Sequence, residues 1–139
     1  MRINLSIGIA GIGLCLAGTA VPVVAHHAFS AEFDANKPIE LTGTVTKMEW
    51  INPHSWIHLD VKNPDGTVVP WLIEGGSPNQ LIRLGVTKKA LPIGAEFIIE
   101  GYLARDGTNK AVGRNFTLAD GRSFRLGGSA PGAAGAEKQ

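Results

Sequence analysis

The chain holds four histidines, and they fall in two short places: His26 with His27, and His54 with His58. Neutral imidazole is the commonest metal ligand, so two such pairs are the most chemically pointed feature of the sequence. His54 and His58 are four residues apart. On a strand that even spacing puts them on one face together with Trp56 and Asp60, and opposite Ile57, Leu59 and Val61. If proteolysis makes His26 the first residue, its α-amino group and imidazole can chelate one ion together, with His27 adjacent. Amine and imidazole ligands suit Cu(II) better than Mg or Ca. The expected site is therefore a metal site of His26, His27, His54 and His58, with copper as the favoured ion. Two other readings stand beside it. The strand histidines can be polar members of a half-exposed face, with His26-His27 only the loose start of the chain. Alternatively Trp56 and Asp60 form a platform for a small ligand or a periplasmic protein, since aromatics on a sheet surface stack on rings.

Other chemistries find little support. Ser55, His58 and Asp60 resemble a fragment of a hydrolytic triad, but no nucleophile elbow accompanies them, and a binding role is expected rather than an enzymatic one. The formal net charge is +1 and Lys88-Lys89 is the only adjacent basic pair, which argues against a nucleic-acid partner.

The elements that must position these residues begin after a different kind of segment. Residues 1–25 read as a cleavable export signal: Arg2, an apolar run from Leu5 to Ala17, and the small-residue pattern Val23-Val24-Ala25. The apolar run is shorter than the roughly 20 residues of a spanning helix, so no stable membrane insertion is expected after cleavage. Leu14 before Cys15 is too large for a lipid-attachment signal. Cleavage removes Arg2 and the only cysteine. A thiolate site or a disulfide is then impossible, and a periplasmic location fits.

From Ile39 the pattern has period two, with Ile39, Leu41, Gly43 and Val45 facing one way. The apolar positions then move to Met48 and Trp50, the one-residue change that a β-bulge produces. Before this strand, Phe29 and Phe33 are spaced for one side of a helical turn or for an irregular arm, which Asn36-Lys37-Pro38 ends. Asn52-Pro53 breaks the first strand, and a second runs from Ser55 to Val61. The turn Asn63-Pro64-Asp65-Gly66 leads to a third, Thr67 to Glu74. Ser77-Pro78 starts a short helix with Leu81, Ile82 and Leu84 on its apolar side, and Gly85 ends it. Strands over Glu96 to Ala104, with Phe97, Ile99 and Leu103 inward, and Ala111 to Ala119 follow, and Asp120-Gly121 closes a hairpin with Phe124 and Leu126. The expected fold is all-β: a small OB-like five-stranded Greek-key barrel over residues 26–126 with one short helix between strands three and four. Residues 127–139, rich in Gly and Ala, are expected to be a disordered tail.

The run H-H-A-F-S-A-E-F-D directly after the signal, and K-P-I-E-L-T-G-T-V-T-K-M-E-W-I-N-P-H-S-W-I-H-L-D-V, resemble a family of small exported proteobacterial proteins of unknown function. The resemblance covers His26 to about Phe124. It implies a periplasmic location and an OB-like barrel, and it brings no catalytic residues.

Overall fold

Strand β1 (Phe33–Glu49) is shared between both halves of the sheet in this computed structural model, which describes residues 29–132. Pro38 to Thr44 pair with β4 (Glu96–Ala104), and Gly43 to Glu49 pair with β2 (Trp56–Lys62), both antiparallel. Gly43 opposes Val61 on one side and Phe97 on the other. Its lack of a side chain is required there: a Cβ would lie 2.7 Å from the Asp60 carbonyl oxygen and 2.7 Å from Leu59 Cγ.

The remaining strands are β3 (Val68–Glu74), β5 (Lys110–Leu118) and β6 (Ser123–Arg125), with one short helix, α1 (Pro78–Arg83), between β3 and β4. The sheet order is β3-β2-β1-β4-β5-β6, and a parallel pairing of Leu72–Glu74 with Lys110–Val112 joins β3 to β5. The protein is all-β, and its first five strands form an irregular ring. The irregularity has visible causes in three register shifts, at Phe33/Pro38, Val45/Lys47 and Glu100/Gly101. Each adds local bend and twist to its strand.

The shift at Val45/Lys47 is the bulge expected from the move of apolar positions. Val45 is fully buried before it, and Met48 and Trp50 pack against the core after it. Thr46 is the extra residue, and its hydroxyl donates to the His58 carbonyl at 3.3 Å. Inside the ring Val45, Ile57, Leu59, Ile73, Phe97, Ile99 and Phe116 make the core.

Helix α1 starts as expected, with Ser77 accepting from the Gln80 amide and Pro78 in the first turn. Its inward residue is Leu81. Ile82 was expected beside Leu81, but neighbouring residues on a helix point about 100° apart, and Ile82 is 57% exposed. Leu103, expected in the core, is only half-buried.

A second cluster forms outside the ring from Phe29, Phe33, Ala104, Val112 and Ala130, with Tyr102 against it. Residues 29–32 are one helical turn, so Phe29 and Phe33 lie on the same side, 6.1 Å between ring centroids. Asn36-Lys37-Pro38 was expected to end this arm. The strand instead continues through it, and the disturbance appears as the shift in pairing with β4 between Phe33 and Pro38. Of residues 127–139, expected to be a disordered tail, 127–132 are described and pack against the domain, and 133–139 lie outside the described residues. Gly128 N–H donates to Gln80 Oε1 at 3.1 Å, and Ala130 is fully buried. Among the described residues no helix is long and apolar enough to cross a membrane.

Candidate functional site

The turn Asn63–Gly66 sets Lys62 opposite Val68, and every later pairing of β2 with β3 follows: His58 with Leu72, and Trp56 with Glu74. On the other side Trp56 opposes Glu49 and His58 opposes Lys47. Directly opposed residues share a face, so Glu49, Trp56 and Glu74 lie side by side on the outer surface with His58 and Asp60 further along. Ile57 and Leu59 point the other way and are buried, as the alternation required.

Each of the two described histidines has its own glutamate. His54 Nδ1 lies 3.2 Å from Glu74 Oε1, and His58 Nε2 lies 2.6 Å from Glu49 Oε1. The Glu49 oxygen also accepts from Lys47 Nζ at 2.8 Å. The hydrogen bonds from Lys47 and His58 hold the Glu49 carboxyl below the usual carboxylate range. Glu74 is in a different environment, being only 4% exposed. Burial pushes its carboxyl up, the Glu32 charge adds to this, and His54 and Lys110 oppose it. The 3.2 Å between His54 Nδ1 and Glu74 Oε1 is ion-pair distance without hydrogen-bond geometry. Nδ1 is buried and has no hydrogen-bond partner.

The arm reaches the same neighbourhood from the other direction. Val112, in the cluster that holds Phe29, is the register partner of Glu74, and Lys110 is the partner of Leu72. Lys110 Nζ bonds Glu32 Oε1 at 2.5 Å and lies 5.9 Å from the centre of the Phe33 ring. That bond with Glu32 raises the Lys110 ammonium above its ordinary value. Arg105 fixes the arm's backbone, with its amide donating to the Glu32 carbonyl at 2.9 Å and its Nε to the Ser30 carbonyl at 2.8 Å.

The structure therefore separates some of the expected residues and joins others. His26 and His27 lie outside the described residues. His54 lies two residues before β2 and His58 within it, and their glutamates stand on opposite neighbouring strands, β3 and β1, each the register partner of Trp56. Trp56 and Asp60 are both half-buried on that face. Ser55 is fully buried on the inner side and its hydroxyl has no hydrogen-bond partner, so it does not meet His58 and Asp60. Among the described residues no group of three or more His, Cys, Asp or Glu could hold a metal ion. A pocket of about 330 Å³ near Ile39, Glu40, Tyr102 and Arg114 lies apart from these groups.

Glu74, Glu49, Glu32 and Lys110 were not singled out from sequence. The signal for Glu74 was available, because the Asn63–Gly66 turn fixes its position opposite Trp56. The Glu32–Lys110 contact joins residues with no local pattern linking them.

Residues 14–114 match the model of a family of unknown function (DUF6152). No curated protein matches the chain.

Proposed function

The chain belongs to this family of unknown function, and we propose that it is an exported periplasmic protein that binds a metal ion, copper favoured, and does no catalysis. The ion would be held by histidines of the processed N-terminus, His26 and His27, with those of the second strand, His54 and His58. The observation that carries this reading is the buried Glu74 carboxylate against His54 Nδ1. Ligating histidines usually give their other ring nitrogen to a carboxylate, which orients the ring and raises its basicity. The His58–Glu49 pair has the same form.

The docked arm supplies the second support. Phe29 packs in the cluster that includes Val112, the neighbour of Glu74 across the β3–β5 pairing. The order of pairing, with β1 between β2 and β4 and with β3 beside β5, supports an OB-like Greek-key barrel as the scaffold. Imidazole, amine and a nearby carboxylate are a donor set that Cu(II) accepts.

The test is a Cu(II) titration of the exported protein, its first residue established by mass. A version with one extra residue before His26 is titrated beside it. Tight one-to-one binding that the extension weakens supports the reading, and no binding overturns it. A second reading, a small ligand or a periplasmic protein on Trp56 and Asp60, is favoured by one observation: Trp56 is half-buried between two carboxylates. Under it Trp56→Ala abolishes capture of that ligand and leaves Cu(II) affinity unchanged.

A further inference from the structure

Arg114 is the extra residue of a bulge. Glu100 pairs with Asn115 and Gly101 with Gly113, so the residue between those two on β5 has no register partner on β4. Bulges re-aim side chains, and this one leaves Arg114 exposed beside Asn115, whose amide nitrogen donates to Glu100 at 3.1 Å. The backbone is tied from the β6 side, where the Leu126 amide donates to the Arg114 carbonyl at 2.9 Å. The guanidinium has a neighbour as well: a Cβ on Gly132 would lie 3.3 Å from one of its nitrogens, so the chain beyond β6 rests against it.

Arg114 lines the pocket of about 330 Å³ together with Pro38, Ile39 and Glu40 of β1 and Glu100 and Tyr102 of β4. Pro38 opposes Tyr102 and Glu40 opposes Glu100, so these four share one face. Tyr102 is fixed by Phe29 of the arm, which meets it edge-on with 5.7 Å between ring centroids. The volume lies in the range that small molecules occupy, and apolar surface with a few polar groups is the usual lining of such a site.

The charges in this pocket are opposite and yet unpaired. Elsewhere on the surface such charges close on one another, Lys47 with Glu49 and Arg122 with Asp120, each at 2.8 Å. Arg114 forms no ion pair with Glu40 or Glu100, and neither Arg114 nor Glu40 has a side-chain hydrogen bond among the described residues. Strand β4 lies between β1 and β5, which sets the backbones of Glu40 and Arg114 roughly 10 Å apart. A molecule that satisfies both carries an ammonium at one end and a carboxylate at the other. A single amino acid has these on one carbon, whereas a dipeptide sets them on Cα atoms about 3.8 Å apart. The guanidinium takes a carboxylate through two parallel hydrogen bonds.

We propose that this pocket binds a short zwitterionic peptide, its carboxylate on Arg114 and its ammonium on Glu40, with an apolar side chain against Pro38, Ile39 and the Tyr102 ring. Glu100, held by Asn115, adds negative charge at the ammonium end. The site stands apart from the histidine face and does not depend on the metal reading.

The probe is alanyl-leucine, titrated into the ¹⁵N-labelled exported protein and followed by NMR. A Kd of about 1 mM or tighter is expected, the scale for a ligand of this size, with shifts gathered at residues 38–40, 100–102 and 113–115. Acetylating its amino end or amidating its carboxyl end should each weaken binding by at least about tenfold, the size of one lost charged hydrogen bond. Arg114→Gln should weaken the dipeptide by a similar factor and leave the affinity for the amidated form unchanged, since that form has no carboxylate to lose. Glu40→Gln should do the same with respect to the acetylated form. Arg122→Gln, at an exposed arginine outside the pocket, should change nothing. Unfolding curves confirm that each variant is folded, and Arg114→Lys, which keeps the charge without the paired donors, serves should Arg114→Gln fail. No shifts at about 10 mM dipeptide, shifts gathered elsewhere, or an affinity that Arg114→Gln and Glu40→Gln leave unaltered would overturn the inference.

Discussion

His54 and Glu74 meet at 3.2 Å across the end of the β2–β3 ladder, a nearly buried carboxylate against a ring nitrogen with no other partner. A carboxylate taken from water to such a place is costly unless it is well paired, and this one is paired with imperfect geometry. Arrangements of that kind persist at sites where they serve binding, at the expense of the fold.

Neutralising the group should therefore trade function for stability. Glu74→Gln is expected to raise the unfolding free energy of the apo protein at neutral pH by about 1 kcal/mol, the size common for relieving such a feature. Its Cu(II) affinity should fall at the same time. Denaturant unfolding checks the first part. A loss of stability would make Glu74 part of the framework.

The arm should be separable from the ring. Phe29 and Phe33 are 5% and 1% exposed and both pack in the outer cluster, but only Phe33 belongs to β1, where it pairs with Ala104. Truncating a buried Phe costs about 3 kcal/mol when the whole domain must absorb it. Local opening sets a lower ceiling for a peripheral segment. Phe29→Ala should thus lose less than Phe33→Ala. Hydrogen exchange should quicken at Arg105, whose amide donates to Glu32, before it quickens in the core strands.

Three turns make stability depend on acid. Asp65 Oδ1 accepts from the Thr67 amide at 2.9 Å and its hydroxyl at 2.6 Å, and Asp106 holds Thr108 in the same way. Asp120 accepts from the Arg122 amide at 3.0 Å and its side chain at 2.8 Å. These bonds favour the ionised carboxyls and depress all three. A depressed carboxyl contributes stability that is complete above its unfolded value and is lost as pH falls through its folded one. Stability should drop as pH falls below about 4, the ordinary Asp value. The double variant Asp65→Asn with Asp106→Asn should show a smaller drop between pH 7 and pH 2 in denaturant midpoint. An unchanged drop would assign the acid sensitivity to other groups.

Gly43 should tolerate no side chain. Gly43→Ala places a Cβ against the Asp60 carbonyl and Leu59, and should cost about 2 kcal/mol by forcing β1 and β2 apart. A thermal unfolding curve equal to that of the parent would show that the strands yield.

Much of the framework was legible because it rests on local signals. The alternation in β2, the move from Val45 to Met48, the Ser77-Pro78 helix start and the Asp-Gly turns each carry their own geometry. The site was half legible for a related reason. Histidine spacing put His54, Trp56 and His58 on one face, but their partners come from other strands, and only register identifies them. Glu74 could have been reached through the Asn63–Gly66 turn. Glu32 and Lys110 could not, because their meeting depends on the arm crossing outside the ring. The packing of Ala130 was hidden for the same reason: its Gly- and Ala-rich surroundings resemble a tail until Phe29, Phe33 and Val112 give them a surface to cover.

The most direct test of the account is pulsed EPR of the exported protein with one equivalent of Cu(II). Modulation from the remote nitrogens of ligating imidazoles is predicted, reduced in His54→Ala and in His58→Ala. A spectrum that His54→Ala leaves unaltered, or copper that stays in solution, would contradict it.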